Sequence, residues 1–174
     1  MRFLNKDEAN IYLKKIGVNI GAWNQLCDSL GRNYEMSNWI NCPAPSDARK
    51  LYYFAQNINK WLPYGVWKII QIDNSSSLPE DEELLIKRLI FGNIDEIKSL
   101  HGNTFISESD KEKEDDLFSS LIFLLLLFEQ HGQIISSSCK NGKHLSIQDG
   151  YVYFMSFNTS DLIEAKNILN QINK

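Results

Sequence analysis

Cys139 and His144 are the two residues whose types and spacing come nearest to catalytic chemistry. They flank Asn141-Gly142, a dipeptide typical of two-residue β-hairpin turns, and cross-strand neighbours at such a spacing can approach one another. A thiol beside an imidazole is one arrangement used in nucleophilic catalysis. However, the hairpin has no evident orienting acid or oxyanion hole nearby. A small thiol-dependent enzyme is therefore an alternative, and the main expectation is that the chain is not an enzyme.

The sequence contains no other pattern that predicts catalysis or cofactor binding. His101 and His131 have no histidine, cysteine or carboxylate at a spacing typical of metal ligands, and a His-Gly pair is common at helix ends. A phosphate-binding loop, a dinucleotide-binding glycine fingerprint and a nucleophile elbow are all absent from the sequence. We therefore expect neither a metal site nor a cofactor.

Acidic residues are concentrated in two short segments. The first reads "EDEE", and the second, residues 107–116, holds six acids and two lysines. Two interpretations remain open: solvated helix starts, or a negative patch that steers a basic protein partner. In the second interpretation the partner-binding acids are Glu80, Asp81, Glu82, Glu83, Glu112, Glu114, Asp115 and Asp116. The net charge of −4 argues against direct binding of nucleic acid.

The aromatic segment "WLPYGVW", from Trp61 to Trp67, offers a second kind of binding residue. Its two tryptophans are expected to be core residues where a helix meets a strand. Tyr64 follows Pro63 at the tip of the connecting loop, and exposed tyrosine is enriched in protein interfaces. Tyr64 is therefore the candidate aromatic anchor for a partner.

Helical patterns place both acidic segments at helix starts. Residues 77–80, "SLPE", match a capping box and open a helix that reaches about Phe91, and the second acidic run opens a long apolar helix. The apolar run 117–128 is too short to cross a bilayer, so a buried helix and no membrane association are expected. Other helices are predicted from an N-cap at Ser46 to Leu62, over residues 22–30, and from residue 158 to the C-terminus.

Strand patterns predict an antiparallel sheet. Residues 65–73 are typical of a strand covered on both faces. From residue 133, three β-rich runs separated by Asn141-Gly142 and Asp149-Gly150 predict a three-stranded meander. Residues 93–107 stay unassigned apart from a short strand at "NTFIS". The fold class is therefore α+β, a single domain over residues 1–174 with helices packed on an antiparallel sheet that ends in a C-terminal meander.

The totals are those of a globular domain. Of 174 residues, 43% are hydrophobic and 23% are charged, which is close to globular averages. The three cysteines are widely spaced and form no C-x-x-C pair, which favours reduced thiols. The first residues lack an apolar signal region. A cytoplasmic location is therefore expected.

Two stretches, residues 51–78 ("LYYFAQNINKWLPYGVWKIIQIDNSSSL") and 142–157 ("GKHLSIQDGYVYFMSF"), resemble immunity proteins of bacterial contact-dependent growth inhibition and related polymorphic toxin systems. In these systems a small cytosolic protein neutralises the C-terminal toxin domain of a large exoprotein delivered by a neighbouring cell. Members inhibit RNases, among them EndoU-class toxins, as well as DNases and pore-formers. The family has many unrelated folds and no shared functional residues, so the resemblance assigns no site.

The resemblance implies a cytosolic immunity protein that binds its cognate toxin domain by stoichiometric occlusion. The expected toxin is a basic nuclease, an RNase of the EndoU class being one example, because acidic inhibitors cover sites built to attract phosphate. The partner is then the toxin domain itself, with no direct contact to nucleic acid. A regulatory or adaptor domain that binds another protein remains the alternative.

Overall fold

The computed structural model of the chain describes residues 2–4, 7–8, 10–11, 18–20, 26–28, 39–62, 68–72, 79–91, 104–107, 112–136, 143–156 and 158–172. It confirms the α+β class. The helices are α1 (Ala48–Trp61), α2 (Glu80–Phe91), α3 (Glu112–Leu127) and α4 (Thr159–Ile172). The strands are β1 (Arg2–Leu4), β2 (Val18–Ile20), β3 (Leu26–Asp28), β4 (Trp39–Pro43), β5 (Lys68–Ile72), β6 (Thr104–Ser107), β7 (Gly132–Ser136), β8 (Lys143–Gln148) and β9 (Tyr151–Ser156).

Among the described strands, seven form one antiparallel sheet in the order β1-β6-β5-β7-β8-β9-β4, and β2 pairs with β3. Strands β7, β8 and β9 are the predicted meander. Asp149 and Gly150, which join the last two, have positive φ angles of 51° and 73°, as a type I′ turn requires. The other predicted turn, Asn141-Gly142, lies outside the described residues.

Two local helix predictions are wrong. Leu26–Asp28, inside the helix predicted over residues 22–30, is strand β3 and pairs with Val18–Ile20. A segment this short has little helical stability of its own, so strand pairing overrides its propensity. The N-cap of α1 is Asp47 instead of Ser46, since the Asp47 carboxylate accepts a hydrogen bond from the Lys50 backbone N–H at 2.8 Å. Both residue types cap helices, so the sequence alone does not separate them.

The His131-Gly132 pair does not end α3 as predicted. The helix closes at Glu129, a left-handed residue with φ 50°, and the Gln130 and Glu129 N–H groups donate to Leu125 O and Leu126 O at 2.8 and 3.2 Å. This is the Schellman arrangement, with glutamate in the position that glycine usually fills. Gly132 instead begins β7, and His131 Nε2 accepts a hydrogen bond from the Asp149 backbone N–H at 3.2 Å.

Helices α1 to α4 share one hydrophobic core with the inner face of the sheet. They lie in the order α4, α1, α3, α2, because α1 contacts both α4 and α3, and α3 contacts α2. At the centre, the rings of Trp61 and Phe54 of α1 contact Phe154 of β9, with centroids 5.1 and 6.3 Å apart. Burial of such large apolar side chains is the main force that holds helices to a sheet.

Helix α3 is buried over most of the apolar run, as predicted, but Leu127 near its end is 42% exposed. Phe118, Leu121, Ile122 and Leu125 have no exposed surface. In the part of the chain that the structure describes, no helix combines the length and apolar character needed to cross a membrane.

Each end of the sheet is named here by one residue, Lys143 or Gly150, and each helix terminus can be assigned to one of the two ends. At the Lys143 end, strands β5 and β8 begin and strands β7 and β9 terminate. The register shows this, because Ser136 lies opposite both Lys68 and Lys143, and Lys143 lies opposite Ser156. The Gly150 end carries the β8–β9 turn. Helix α1 runs from the Gly150 end, where it follows β4, to the Lys143 end, where Lys143 Nζ donates to Trp61 O at 2.7 Å. These ends decide which candidate residues can share a surface.

Candidate functional site

Some of the acids at the start of α2 are exposed and one is half-buried. Glu80 and Asp81 are exposed, whereas Glu83 is half-buried, with its Oε1 3.0 Å from Lys87 Nζ one turn later. The charge of Glu83 is therefore partly balanced within α2 itself. The side chain of Glu82 lies outside the described part of the chain.

The acids that begin α3 form its first turns. Asp116 is exposed, and its backbone carbonyl accepts a hydrogen bond from Ser120 Oγ at 2.9 Å. The backbone of Glu112, Glu114 and Asp115 belongs to the same helix start, and their side chains lie outside the described part. Acids at this position interact favourably with the helix dipole, which accounts for some of this charge without a partner.

The two acidic helix starts follow strands that end at opposite ends of the sheet. Strands β5 and β6 are antiparallel, with Lys68 opposite Ser107. The chain therefore leaves β5 from the Gly150 end towards α2, and leaves β6 from the Lys143 end towards α3. The topology favours two separate acidic sites over one continuous patch.

Tyr64 lies outside the described residues. The segments that flank it are the end of α1 at Trp61 and the start of β5 at Lys68, and both lie at the Lys143 end. The chain also leaves β6 towards α3 from this end. The start of α3 thus lies at the same end of the sheet as these flanking segments, whereas α2 follows β5 from the other end.

A surface that the sequence argument missed lies on the outer side of helices α1 and α3. We call it the α1–α3 surface. It is defined by Tyr52, Tyr53, Gln56, Asp116, Phe123 and Leu127. Tyr52 and Tyr53 are 42% and 50% exposed, and Leu127 is 42% exposed. Large apolar and tyrosine side chains exposed side by side are a mark of interaction sites.

Contacts between the two helices fix this surface. The Tyr52 and Phe123 rings meet edge to face with centroids 5.7 Å apart, and the Tyr52 hydroxyl accepts a hydrogen bond from Gln56 Nε2 at 3.2 Å. Beneath them, buried Asn59 Nδ2 donates to Ser119 Oγ at 2.8 Å. The tyrosines are therefore held by packing and hydrogen bonds, and a rigid aromatic side chain loses little entropy on binding.

The α1–α3 surface changes character along its length. The pairings of Tyr52 with Phe123 and of Asn59 with Ser119 show that the helices are antiparallel. The aromatic part therefore lies towards the Gly150 end, and Asp116 lies towards the Lys143 end. At the aromatic part, the Arg49 guanidinium lies 5.9 Å from the centre of the Tyr53 ring, which shows that the ring face accepts an arginine.

The spacing of residues along the α3 sequence indicates this surface only weakly. Asp116, Ser120, Phe123 and Leu127 recur at intervals of three or four along α3, so they lie on one side of the helix. The run looks apolar on every side in the sequence, which predicts burial throughout. Only the packing of α1 shows which side stays open.

Lys143 ties three elements together at its end of the sheet. Its Nζ donates to Trp61 O and to Glu164 Oε2, both at 2.7 Å, and lies 4.8 Å from the centre of the Trp61 ring. Trp61 Nε1 donates in turn to Asp161 O at 2.9 Å. Because these groups satisfy one another, the cluster holds α1, β8 and α4 in place rather than offering a proton to a substrate.

The described residues give no geometric support to the hypothesis of a catalytic Cys139–His144 pair. His144 is 4% exposed, and burial lowers its pKa to about 3, so the imidazole is neutral at physiological pH. Cys139 lies outside the described residues. Burial raises the pKa of the Cys42 thiol to about 12, which makes that thiol a poor nucleophile. Within the described ranges, no cluster of three or more histidine, cysteine or acidic residues could hold a metal ion.

No protein-family model, curated protein or solved structure matches this chain.

Proposed function

We propose that this chain is a protein-binding inhibitor, an immunity protein that occludes the nucleic-acid-binding surface of a basic nuclease toxin in the cytoplasm of the cell it protects. The α1–α3 surface supports the proposal most directly, because it joins exposed aromatic side chains to an acidic helix start. Aromatic residues supply binding energy at the centre of an interface, and acids select and steer a basic partner.

The two parts of the α1–α3 surface are expected to bind different groups of the toxin, because one part is aromatic and the other is acidic. Tyr52 and Tyr53 contact an apolar or arginine-bearing part of the toxin, as the Arg49–Tyr53 contact illustrates. Asp116 and the acids before it in α3 face lysines and arginines that otherwise hold phosphate. A standard interface needs about 800 Å² on each partner. Two antiparallel helices of 14 and 16 residues offer a face of that order.

The activity test uses the polypeptide domain encoded immediately upstream of this chain. Its cleavage of RNA and of DNA is measured with increasing amounts of this protein. The proposal predicts loss of cleavage that is complete at one equivalent, because an occluding inhibitor acts stoichiometrically. Tight binding that leaves cleavage intact would support an adaptor instead, and absence of binding would contradict the cognate pairing.

The acidic sites are tested by charge reversal, one helix start at a time. Changing Asp115 and Asp116 to lysine is expected to slow association at low salt and to weaken its salt dependence, because electrostatic steering acts on the encounter. The matched control changes Glu80 and Asp81 to lysine on the separate helix α2. Stopped-flow association rates at two salt concentrations distinguish them. Equal rates for both variants and the unmodified protein would exclude both acidic sites.

A further inference from the structure

Strand β4 forms one edge of the seven-stranded sheet and pairs, among the described strands, with β9 alone. The Ala44 N–H donates to Gly150 O at 2.8 Å, which fixes the direction of the backbone groups before it. Backbone groups of successive residues in an antiparallel strand point to alternate sides. Those of Ile40 and Cys42 therefore face β9, and those of the residues between and beside them point away from the sheet.

The outward groups of β4 belong to Trp39, Asn41 and Pro43. All three residues are exposed, and Trp39 is 54% exposed. Pro43 lacks an N–H, but it lies at an outward position, so it removes no hydrogen bond to β9. The five residues of β4 carry no charge. Charged side chains and proline both protect sheet edges from pairing; β4 has no charge, and its one proline, Pro43, lies at the end of the strand.

We propose that β4 is a self-association site, at which two copies of this chain pair edge to edge about a two-fold axis through Asn41. In this register Asn41 lies opposite Asn41 of the second copy, and each N–H donates to the other's carbonyl. Trp39 lies opposite Pro43 of the second copy, and the Trp39 N–H donates to the Pro43 carbonyl. Pro43 has no N–H to return to the Trp39 carbonyl, so each end of the paired strands holds one hydrogen bond where a pair without proline would hold two.

The side chains on the outer face complement this pairing. The rings of Trp39 and Tyr153 already contact each other, with centroids 5.8 Å apart. Pro43 lies opposite Tyr151, which is 43% exposed. The two-fold axis therefore brings Trp39 of one copy next to Pro43 and Tyr151 of the other, so that exposed aromatic surface becomes buried at both ends of the seam.

The area buried between the two β4 strands limits the affinity of the dimer. One five-residue strand and its flanking aromatic side chains bury less than the roughly 800 Å² per partner of a standard stable interface. A weak dimer that dissociates on dilution is therefore expected, not a permanent one. Helices α4 and α1 separate β4 from α3, so the α1–α3 surface stays open in the dimer. The inference does not depend on the proposed function.

Sedimentation velocity over a range of concentrations tests the pairing. The unmodified protein is expected to approach twice the 20.1 kDa mass of one chain at high concentration and to return to that mass on dilution. Trp39→Lys and Asn41→Pro are each expected to abolish the dimer: the first places a charge in the seam, and the second removes the central outward donor. Leu85→Lys, at a residue 46% exposed on α2, is the control and leaves the dimer intact.

Amide hydrogen exchange gives a second readout that requires no variant to fold. The amides of Trp39 and Asn41 are expected to exchange more slowly as concentration rises, while those of Ile40 and Cys42, already bonded to β9, stay unchanged. A protein that remains monomeric at its highest soluble concentration overturns the proposal. So does a dimer that survives both β4 substitutions, or one whose exchange pattern at Trp39 and Asn41 is independent of concentration.

Discussion

The imidazole of His144 is buried on the face of β8 opposite the helices, since its neighbour Leu145 belongs to the core between helices and sheet. The sequence could place His144 in the meander but could not say which face it occupies, because strand alternation needs a register before it assigns a side. Its pKa, lowered to about 3 by burial, has a consequence for stability.

The free energy of unfolding is expected to fall as the pH drops below the unfolded-state pKa of about 6.5. The reason is that His144 then binds a proton in the unfolded chain but not in the folded chain. The loss continues towards pH 3 and amounts to about 2 kcal/mol between pH 7 and pH 5. Urea unfolding at both pH values measures it. His144→Gln should remove this part of the pH dependence, whereas His131→Gln should retain it. The same pH dependence in the unmodified protein and in His144→Gln would show that burial does not suppress protonation.

The Cys42 thiol is expected to resist alkylation in the folded protein. Its pKa, raised to about 12 by burial, leaves almost no thiolate at neutral pH. Iodoacetamide labelling followed by peptide mass mapping should show Cys42 modified rapidly in urea and slowly in buffer. Labelling of Cys42 in buffer at the rate of an unfolded cysteine would contradict the burial of this thiol.

At the scale of elements, the burial of α3 could be predicted because a run of apolar side chains on every side of a helix indicates a place in the core. The exposed side of α3 could not, since a run that is apolar all round has no period to mark the side facing solvent. Adjacent serines show the difference that packing makes. Ser119 is buried against Asn59 of α1, and Ser120 bonds only within its own helix.

Ser119→Ala is expected to destabilise the protein by about 1–2 kcal/mol, because it removes the buried hydroxyl that accepts from Asn59 Nδ2. Ser120→Ala is the matched control and should change the free energy of unfolding by less than about 0.5 kcal/mol. Chemical denaturation measures both. Equal effects of the two substitutions would mean that the contact between α1 and α3 does not depend on this hydrogen bond.

At the scale of the whole molecule, the α+β class and the meander could be predicted because turn dipeptides and β-rich runs mark them locally. The three-residue strands β2 and β3 could not, since strands so short carry almost no pattern and are defined only by their pairing with each other. The same limit applies to the position of β4 beside β9, which brings an early segment to the far edge of a sheet completed late in the chain.

Lys143 holds this assembly together by joining α1, β8 and α4. Lys143→Met is expected to lower the free energy of unfolding by about 2 kcal/mol, because it leaves Glu164 and the Trp61 carbonyl without their shared donor. Lys166→Met, on the exposed side of α4, should be nearly neutral. Thermal unfolding compares them, and a neutral Lys143→Met would contradict the stabilising role of the cluster.

The α1–α3 surface is tested most directly by calorimetric titration of this protein into the upstream-encoded toxin domain. We predict one-to-one, salt-sensitive binding that weakens at least about 100-fold when Tyr52 and Tyr53 are both changed to alanine, as expected for central aromatic anchors. Tyr151→Ala, a tyrosine of similar exposure on β9, should leave the affinity unchanged. Tight binding that is indifferent to the double substitution would contradict the assignment of this surface, and no binding would contradict the proposed function itself.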